Sequence, residues 1–115
     1  MTLSGEGKLL RIFLGEADRF EGKQLFEVIV HRAKEFGMAG TTVLRGIEGF
    51  GAHSRIHTAK LLQLSEDLPI VIEIVDTAEK IEALVPQIDA MIERAECGAM
   101  MTIEKVEIKK YVAGK

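Results

Sequence analysis

The chain has 115 residues, 47% of them hydrophobic and 29% charged, so we expect a single folded domain over residues 1–115 with its own core. Its net charge of −3 and its lack of tryptophan argue against a nucleic-acid-binding module, which usually presents a basic surface and stacking aromatics. With one cysteine, no apolar run near the roughly 20 residues that cross a bilayer and no apolar leader segment, the sequence predicts a cytoplasmic protein without a disulfide or membrane insertion.

The first part of the chain predicts a strand, a loop and a helix. Residues 8–14 (KLLRIFL) are a short apolar run typical of a central strand, and the polar stretch 15–22 indicates a loop. Over residues 23–36 the apolar side chains recur at helical spacing. Gly37 is placed to end this helix, because glycine adopts the left-handed conformation at little cost.

Two further strands flank a long connection in the middle of the chain. The run 41–48 (TTVLRGIE) predicts the second strand, and residues 69–75 (PIVIEIV) predict the third, which opens on a proline tolerated at a strand start. The connection 49–68 is unusually long for a compact domain, which is typical of functional or mobile segments. Residues 59–64 (AKLLQL) are a candidate short strand within it.

The last third predicts a long helix. Asp76, with Glu79 three residues later, predicts the N-cap of a helix whose apolar stripe covers residues 81–95. Pro86 lies inside that stripe and is expected to kink or split the helix, since proline donates no backbone hydrogen bond. We expect the helix to end at residues 97–98, a cysteine followed by a glycine.

A final strand completes the order of elements. Residues 101–108 (MTIEKVEI) predict this strand, with a β-bulge at residues 104–105 where the alternation slips. The order β-α-β-β-α-β is that of the ferredoxin-like fold, an α+β sandwich in which an antiparallel sheet carries two helices on one face. The strands are apolar on both faces, so we expect the uncovered face to be buried against other copies of the chain.

The segment that leads into the long connection is the first place to search for a site. Gly46, Gly49 and Gly51 leave little side-chain bulk, so backbone N–H groups can approach a ligand there, often an anion. Charged or titratable side chains lie close by in sequence, at Arg45, His53, Arg55 and His57. Such groups on a loop held by a rigid sheet are typical of a binding site.

The same segment carries a family resemblance. The stretch TTVLRGIEGFGAHSRIH, followed by PIVIEIV, resembles the PII signalling proteins, in which a strand enters a Gly-Phe-Gly turn, a long loop follows and a strand returns. The sequence is more similar still to the PII-like family called domain of unknown function 190. That similarity lies in the central segment, in GEGKLLRIFLGE (residues 5–16) and in HTAKLLQLSEDLPIVIEIVD (residues 57–76).

The resemblance implies a PII-like homotrimer that binds a small ligand, commonly an adenine nucleotide, in clefts between subunits. It implies that Gly49, Phe50 and Gly51 line the cleft, and that a mobile loop over residues 52–65 docks on a partner such as a transporter or an enzyme. It implies no catalytic residue and no cofactor apart from the nucleotide ligand. Taken together, the candidate ligand-binding residues are Arg45, Gly49, Phe50, Gly51, His53, Arg55 and His57.

One departure from PII proteins bears on the ligand. PII proteins carry a second glycine-rich, lysine-ended loop before their last strand, where it holds phosphates. Residues 96–106 (ECGAMMTIEKV) have one glycine there and no lysine or arginine before Lys105. The sequence therefore argues against triphosphate binding in the PII manner.

Two other functions remain open at this stage. His53 and His57 are four residues apart, which suits a transition metal if both lie on one helix face, as in a metal-binding trimer resembling the CutA proteins. Gly49 and Gly51 just upstream argue against a helix, and no metal ligand is assigned. A small enzyme could instead use Arg45, His53 or Arg55 at the subunit cleft, since histidine serves as an acid or base near neutral pH.

Overall fold

The computed structural model describes residues 3–51, 56–58 and 67–114, and its two helices and four long strands follow the predicted order. The candidate strand at residues 59–64 lies outside the described residues, as does the predicted loop 52–65 apart from residues 56–58. The elements are β1 (Gly5–Gly15), β2 (Arg19–Phe20), β3 (Lys23–Gln24), α1 (Leu25–Phe36), β4 (Thr41–Arg45), β5 (Glu48–Gly49), β6 (His57–Thr58), β7 (Pro69–Asp76), α2 (Ala78–Ala95) and β8 (Met100–Ile108).

The four long strands form one antiparallel sheet in the order β4-β7-β1-β8. Alternate residues of β1 and β7 point to opposite faces, and one set is buried beneath the two helices. Leu10, Ile12 and Leu14 of β1 stand opposite Ile74, Ile72 and Ile70 of β7 in this core. The ferredoxin-like fold predicted from the order of elements is confirmed.

The other side of the sheet is what we call the open face. Its apolar side chains come from all four strands. Arg11 lies at its centre, where its Nε donates to Glu73 at 2.8 Å and its guanidinium also pairs with Glu104. The hydrogen bond to Glu73 raises the pKa of the Arg11 guanidinium, so the group stays charged. The apolar members of the open face are Leu9, Phe13, Leu44, Val71, Val75, Met100, Val106 and Ile108.

The predicted loop 15–22 contains the first strand and the turn of a small hairpin, whose second strand, Lys23–Gln24, lies where the helix was predicted to begin. The two-residue strands β2 and β3 pair with each other, and the turn between them places Glu21 and Gly22 at φ 49° and 81°. Two-residue strands are too short to produce a period in the sequence, so the loop prediction missed them. The first helix then runs from Leu25 to Phe36, and Gly37 follows it in the left-handed conformation with φ 89°, which confirms the predicted role of this glycine.

The N-cap of α2 is Thr77 and not Asp76 as predicted. The Thr77 hydroxyl accepts a hydrogen bond from the Lys80 amide at 3.3 Å. Asp76 is the last residue of β7 and fully buried, where its carboxylate accepts from the amides of Ala39 at 2.8 Å and Thr77 at 2.7 Å. Aspartate and threonine both suit an N-cap. Thr77 takes this role because β7 extends through Asp76.

Pro86 lies within one helix of 18 residues, so of the two predicted effects the split does not occur, and a kink at this residue stays a prediction. The helix ends at Ala95, and Glu96 takes the left-handed conformation with φ 53°, one residue before the predicted stop at residues 97–98. Proline removes one backbone hydrogen bond, but buried apolar residues lie on both sides of Pro86, and packing of an amphipathic face supplies most of the stability of a helix.

The predicted bulge at residues 104–105 of β8 is also wrong. Pairing with β1 runs without interruption from Gly5↔Ile108 to Phe13↔Met100. The alternation only looks broken because the apolar residues belong to different faces: Ile103 stands opposite buried Leu10, whereas Val106 lies on the open face. A strand with apolar residues on both faces imitates the sequence pattern of a bulge.

Candidate functional site

A cavity of about 630 Å³ lies at the end of the sheet where β1 stops and β7 and β8 begin. Four chain segments that are far apart in sequence meet there. The sheet order places the ends of β1, β7 and β8 side by side, and residues 48–51 join them from β5 and the turn that follows it. The lining comprises Phe13, Leu14, Gly15, Asp18, Glu48, Gly49, Phe50, Gly51, Asp67, Pro69, Ile70, Gly98, Ala99 and Met100.

The Gly-Phe-Gly turn forms one wall of the cavity. The segment that leads into the turn is held against Pro69, because the Gly46 amide donates to the Pro69 carbonyl at 2.7 Å. The turn itself begins in β5, where Gly49 pairs with His57 of β6. A Cβ atom on Gly46 would lie 2.7 Å from Pro69 Cγ, and one on Gly49 would lie 3.2 Å from it. The turn passes this closely over the proline ring only because both positions lack a side chain.

Exposed apolar side chains converge on the cavity. Phe50 at the centre of the turn is 67% exposed, and Phe13 and Met100, which stand opposite each other in β1 and β8, are exposed as well. Phe13 and Met100 also belong to the open face, so the cavity opens at the edge of that face. A planar ligand could contact aromatic and thioether surface here.

Carboxylates supply the charge of the cavity wall. Asp18 accepts from the Gly15 amide at 2.8 Å, and Asp67 accepts from the Ala17 amide at 2.9 Å, so backbone bonds hold both side chains in place. Glu48 is the third acidic residue, and among the described residues the lining includes no lysine, arginine or histidine. Carboxylate oxygens of the described wall therefore accept hydrogen bonds from the backbone of the loop that follows β1.

Cys97 precedes the wall residues Gly98 and Ala99. Burial raises the pKa of its thiol, and the neighbouring Asp18 carboxylate raises the pKa further. Both effects keep the sulfur protonated at neutral pH, whereas nucleophilic cysteines have a lowered pKa. This environment is typical of a structural cysteine.

The structure brings together some of the residues predicted for the site. Gly49, Phe50 and Gly51 line the cavity. Arg45 lies at the end of β4 with an exposed side chain that pairs with Glu16, and it is outside the cavity lining. His57 is described only through its strand pairing with Gly49, while His53 and Arg55 lie outside the described residues.

The sequence pattern did not indicate Asp18, Asp67 or Met100 as site residues. They lie just after or just before predicted strands. Only the order of the strands in the sheet shows that these strand ends are neighbours. The metal-site alternative involves His53, outside the described residues; within the described ones, no group of three or more histidine, cysteine, aspartate or glutamate residues is arranged to hold a metal ion.

Within residues 3–51, 56–58 and 67–114, neither helix is long and apolar enough to cross a membrane.

Comparison with known families and relatives shows the family to which the chain belongs. The sequence model of the domain of unknown function 190 family, described as "Uncharacterized ACR", matches residues 7–108, so the chain belongs to this family. A UPF0166 protein of Aquifex aeolicus is 42% identical over 101 residues, which are 88% of this chain and 91% of that protein. A UPF0166 protein of Methanocaldococcus jannaschii is 36% identical over 83 residues, covering 72% and 76%.

Solved structures share the fold at low sequence identity. CPII, a nitrogen regulatory PII-like protein of Thiomonas intermedia K12 bound to ADP, AMP and bicarbonate, matches with a TM-score of 0.69 at 18% identity, covering 91% of this chain and 90% of its own. A putative PII-like signaling protein of Thermus thermophilus matches at 0.67 and 18%, covering 96% and 100%. CutA1 of Oryza sativa matches at 0.57 and 14%, covering 95% and 85%. These likenesses agree with the ferredoxin-like fold.

Proposed function

We propose that this protein is a PII-like regulatory protein, a cytoplasmic homotrimer of single-domain subunits that binds an adenine nucleotide in the clefts between them. The observation that carries the proposal is the Gly49–Gly51 turn, which lines a ligand-sized cavity opening onto the open face of the sheet. CPII, which shares the fold, was solved with ADP and AMP bound. No catalytic residue is assigned in this proposal.

The position of the cavity supports a site shared between subunits. Phe13 and Met100 belong both to the cavity lining and to the open face. If the open face packs against another copy, that copy closes the outer side of the cavity. Ligand binding and assembly are then coupled, because each cleft is complete only in the oligomer.

The exposed apolar residues around the turn support docking on a partner, such as a transporter or an enzyme. Ile47 is 79% exposed and Ile56 is 64% exposed, and these residues lie on either side of Phe50 in the sequence. Clustered exposed apolar side chains are typical of interaction sites. A ligand that contacts Phe50 would change the surface presented by its neighbours, which is how nucleotide binding would regulate the partner.

Light scattering and nucleotide thermal shifts test this proposal. We expect a mass three times the 12.7 kDa of the chain, and a shift that corresponds to about 2.7 kcal/mol when the nucleotide is at 100 times its dissociation constant. Phe50→Ala removes an exposed ring and is expected to abolish the nucleotide shift without unfolding the protein. Ile47→Ala is the matched control, because Ile47 is exposed in the same segment but does not line the cavity. A monomer without any nucleotide shift would contradict the proposal.

A further inference from the structure

We infer that the outer face of α1 is a contact between two copies of this chain, which lie against each other with their α1 helices antiparallel. By the outer face we mean an open groove of about 640 Å³ along this helix, lined by Arg19, Lys23, Gln24, Glu27, Val28, His31, Arg32 and Glu35. The inference goes beyond the proposed function, because α1 covers the side of the sheet opposite the open face and lines no part of the cavity.

The order of charges along the outer face is the first observation. Its charged row has members at intervals of four residues, in which a cationic or imidazole side chain alternates with a carboxylate. The members are Lys23, Glu27, His31 and Glu35. Lys23 stands two residues before the helix begins, and it lines the same groove as the other three. Residues four apart lie on one side of a helix, about 6 Å from each other along its axis.

This row is complementary to itself when a second copy is turned end to end. A two-fold axis level with Ile29 brings Glu27 of each copy opposite His31 of the other. The same axis brings Lys23 opposite Glu35, and every pair occurs twice because both copies use the same surface. A carboxylate accepts from a lysine ammonium, and it accepts from an imidazole N–H in either protonation state. Parallel copies would place each carboxylate opposite its own equivalent, so the charges select the antiparallel arrangement.

The side chains of the row are available for this contact. All four are exposed, and none forms a hydrogen bond or an ion pair with another residue in the ranges that the structure describes. Other cations of the chain are already engaged, such as Lys8 with Glu82 and Arg94 with Glu21. Pairing of the row with a second copy therefore replaces water and does not break an existing ion pair.

The outer side of α2 lacks this complementarity. Its exposed charged residues are Glu79, Glu82, Asp89, Glu93 and Arg94, so four of the five are acidic. Two such surfaces repel each other in either orientation, because carboxylates meet carboxylates. Both helices cover the same side of the sheet, and the alternation of charge identifies α1 as the helix that can meet its own copy.

The contact is small, so we expect the association to be weak. An exposed ion pair strengthens an interaction by at most about fivefold, and one helix face on each side is less surface than a stable dimer buries. Salt screens exposed charges, so the association should weaken when sodium chloride is raised from about 0.05 M to about 0.5 M.

Sedimentation of the whole protein at chain concentrations of about 0.02–2 mM in low salt tests the contact, using charge reversals that can be combined. Lys23→Glu and Glu35→Lys each place like charges opposite each other. Each should weaken the association about tenfold or more, since one substitution disrupts two pairs. The double variant with both substitutions restores opposite charges in the reverse order, so its affinity should return to within about threefold of the wild type.

Asp89→Lys is the matched control, because it makes the same change of charge as Glu35→Lys on the outer side of α2. It should leave the association unchanged. Three results would overturn the inference: a wild-type protein that does not associate at about 2 mM, a double variant as weak as the single ones, or equal effects of Asp89→Lys and Glu35→Lys. The proposed function is tested separately, by the trimer mass and the nucleotide shift at low concentration, and would survive all three.

Discussion

Gly46 and Pro69 illustrate how one missing side chain shapes the wall of the cavity. The Gly46 amide donates to the Pro69 carbonyl, and the residue lies so close to the proline ring that a Cβ would sit 2.7 Å from Cγ. Proline is rigid, so the ring cannot turn away as a flexible side chain would. The position of the Gly-Phe-Gly turn therefore depends on a contact that only glycine permits.

Gly46→Ala is accordingly expected to lower the free energy of unfolding by about 1–3 kcal/mol, the usual cost of forcing an extra methyl group into a packed contact. The measurement is the urea midpoint, followed by the nucleotide thermal shift, which should shrink because the turn moves. Gly51→Ala is the control in the same segment, since its Cβ would meet nothing within 4 Å. Equal effects of the two substitutions would refute the role assigned to the Pro69 contact.

At the residue scale, the sequence predicted one half of the cavity and missed the other. Gly49, Phe50 and Gly51 are adjacent in sequence, so a local motif and its resemblance to PII proteins were enough to single them out. Asp18 and Asp67 are about 50 residues apart, and nothing local marks either of them. Their convergence comes from the adjacent ends of β1 and β7, which is a property of topology and not of any single segment.

At the scale of elements, the long periodic segments were predictable and the short ones were not. The helix α1 and the strands β1 and β7 have enough residues for a periodic pattern to stand out. Two-residue strands such as β2 have no period, and β8 misled the prediction because it is apolar on both faces. The prediction of a helix boundary also failed where two adjacent residues, such as Asp76 and Thr77, both suit an N-cap.

The end of α2 offers a prediction at this scale. Glu96 occupies the left-handed C-terminal position with φ 53°, whereas α1 uses Gly37 at the equivalent point. A residue with a Cβ is strained in that conformation, and glycine is not. Glu96→Gly should raise the free energy of unfolding by about 0.5–1 kcal/mol, since part of the relief is offset by the greater freedom of glycine in the unfolded chain.

The effect of Glu96→Gly is compared with that of a second glycine substitution, with chemical unfolding as the measurement for both. Glu93→Gly places glycine three residues earlier, within α2, where the backbone is helical and the side chain is exposed. It should lower the free energy of unfolding by about 0.5–1 kcal/mol, because glycine is a poor helix former. The two substitutions make the same chemical change, so opposite signs would isolate the left-handed backbone as the cause, and equal signs would contradict it.

At the scale of the whole molecule, the proposed function makes the open face the link between assembly and ligand binding. Arg11 with Glu73 and Glu104 forms a charged centre within a sheet surface whose other side chains are mostly apolar. A surface of this kind is apolar enough to drive association, and its ion pairs restrict which arrangements of the copies are compatible. The cavity lies at the edge of this surface, so the same packing that covers the sheet would close the ligand site.

Val71 lies on the open face beside Phe13 and Leu44, where a charge tests this coupling directly. In a free subunit a lysine at this half-buried position can extend its ammonium group into water, so Val71→Lys should fold. Between packed subunits the charge would be buried without a partner, so light scattering should show the mass of one chain instead of three. The nucleotide shift should be lost with the trimer, whereas Ala83→Lys, the same added charge at an exposed position of α2, should retain both. A Val71→Lys protein that keeps the trimer mass would show that the copies meet elsewhere.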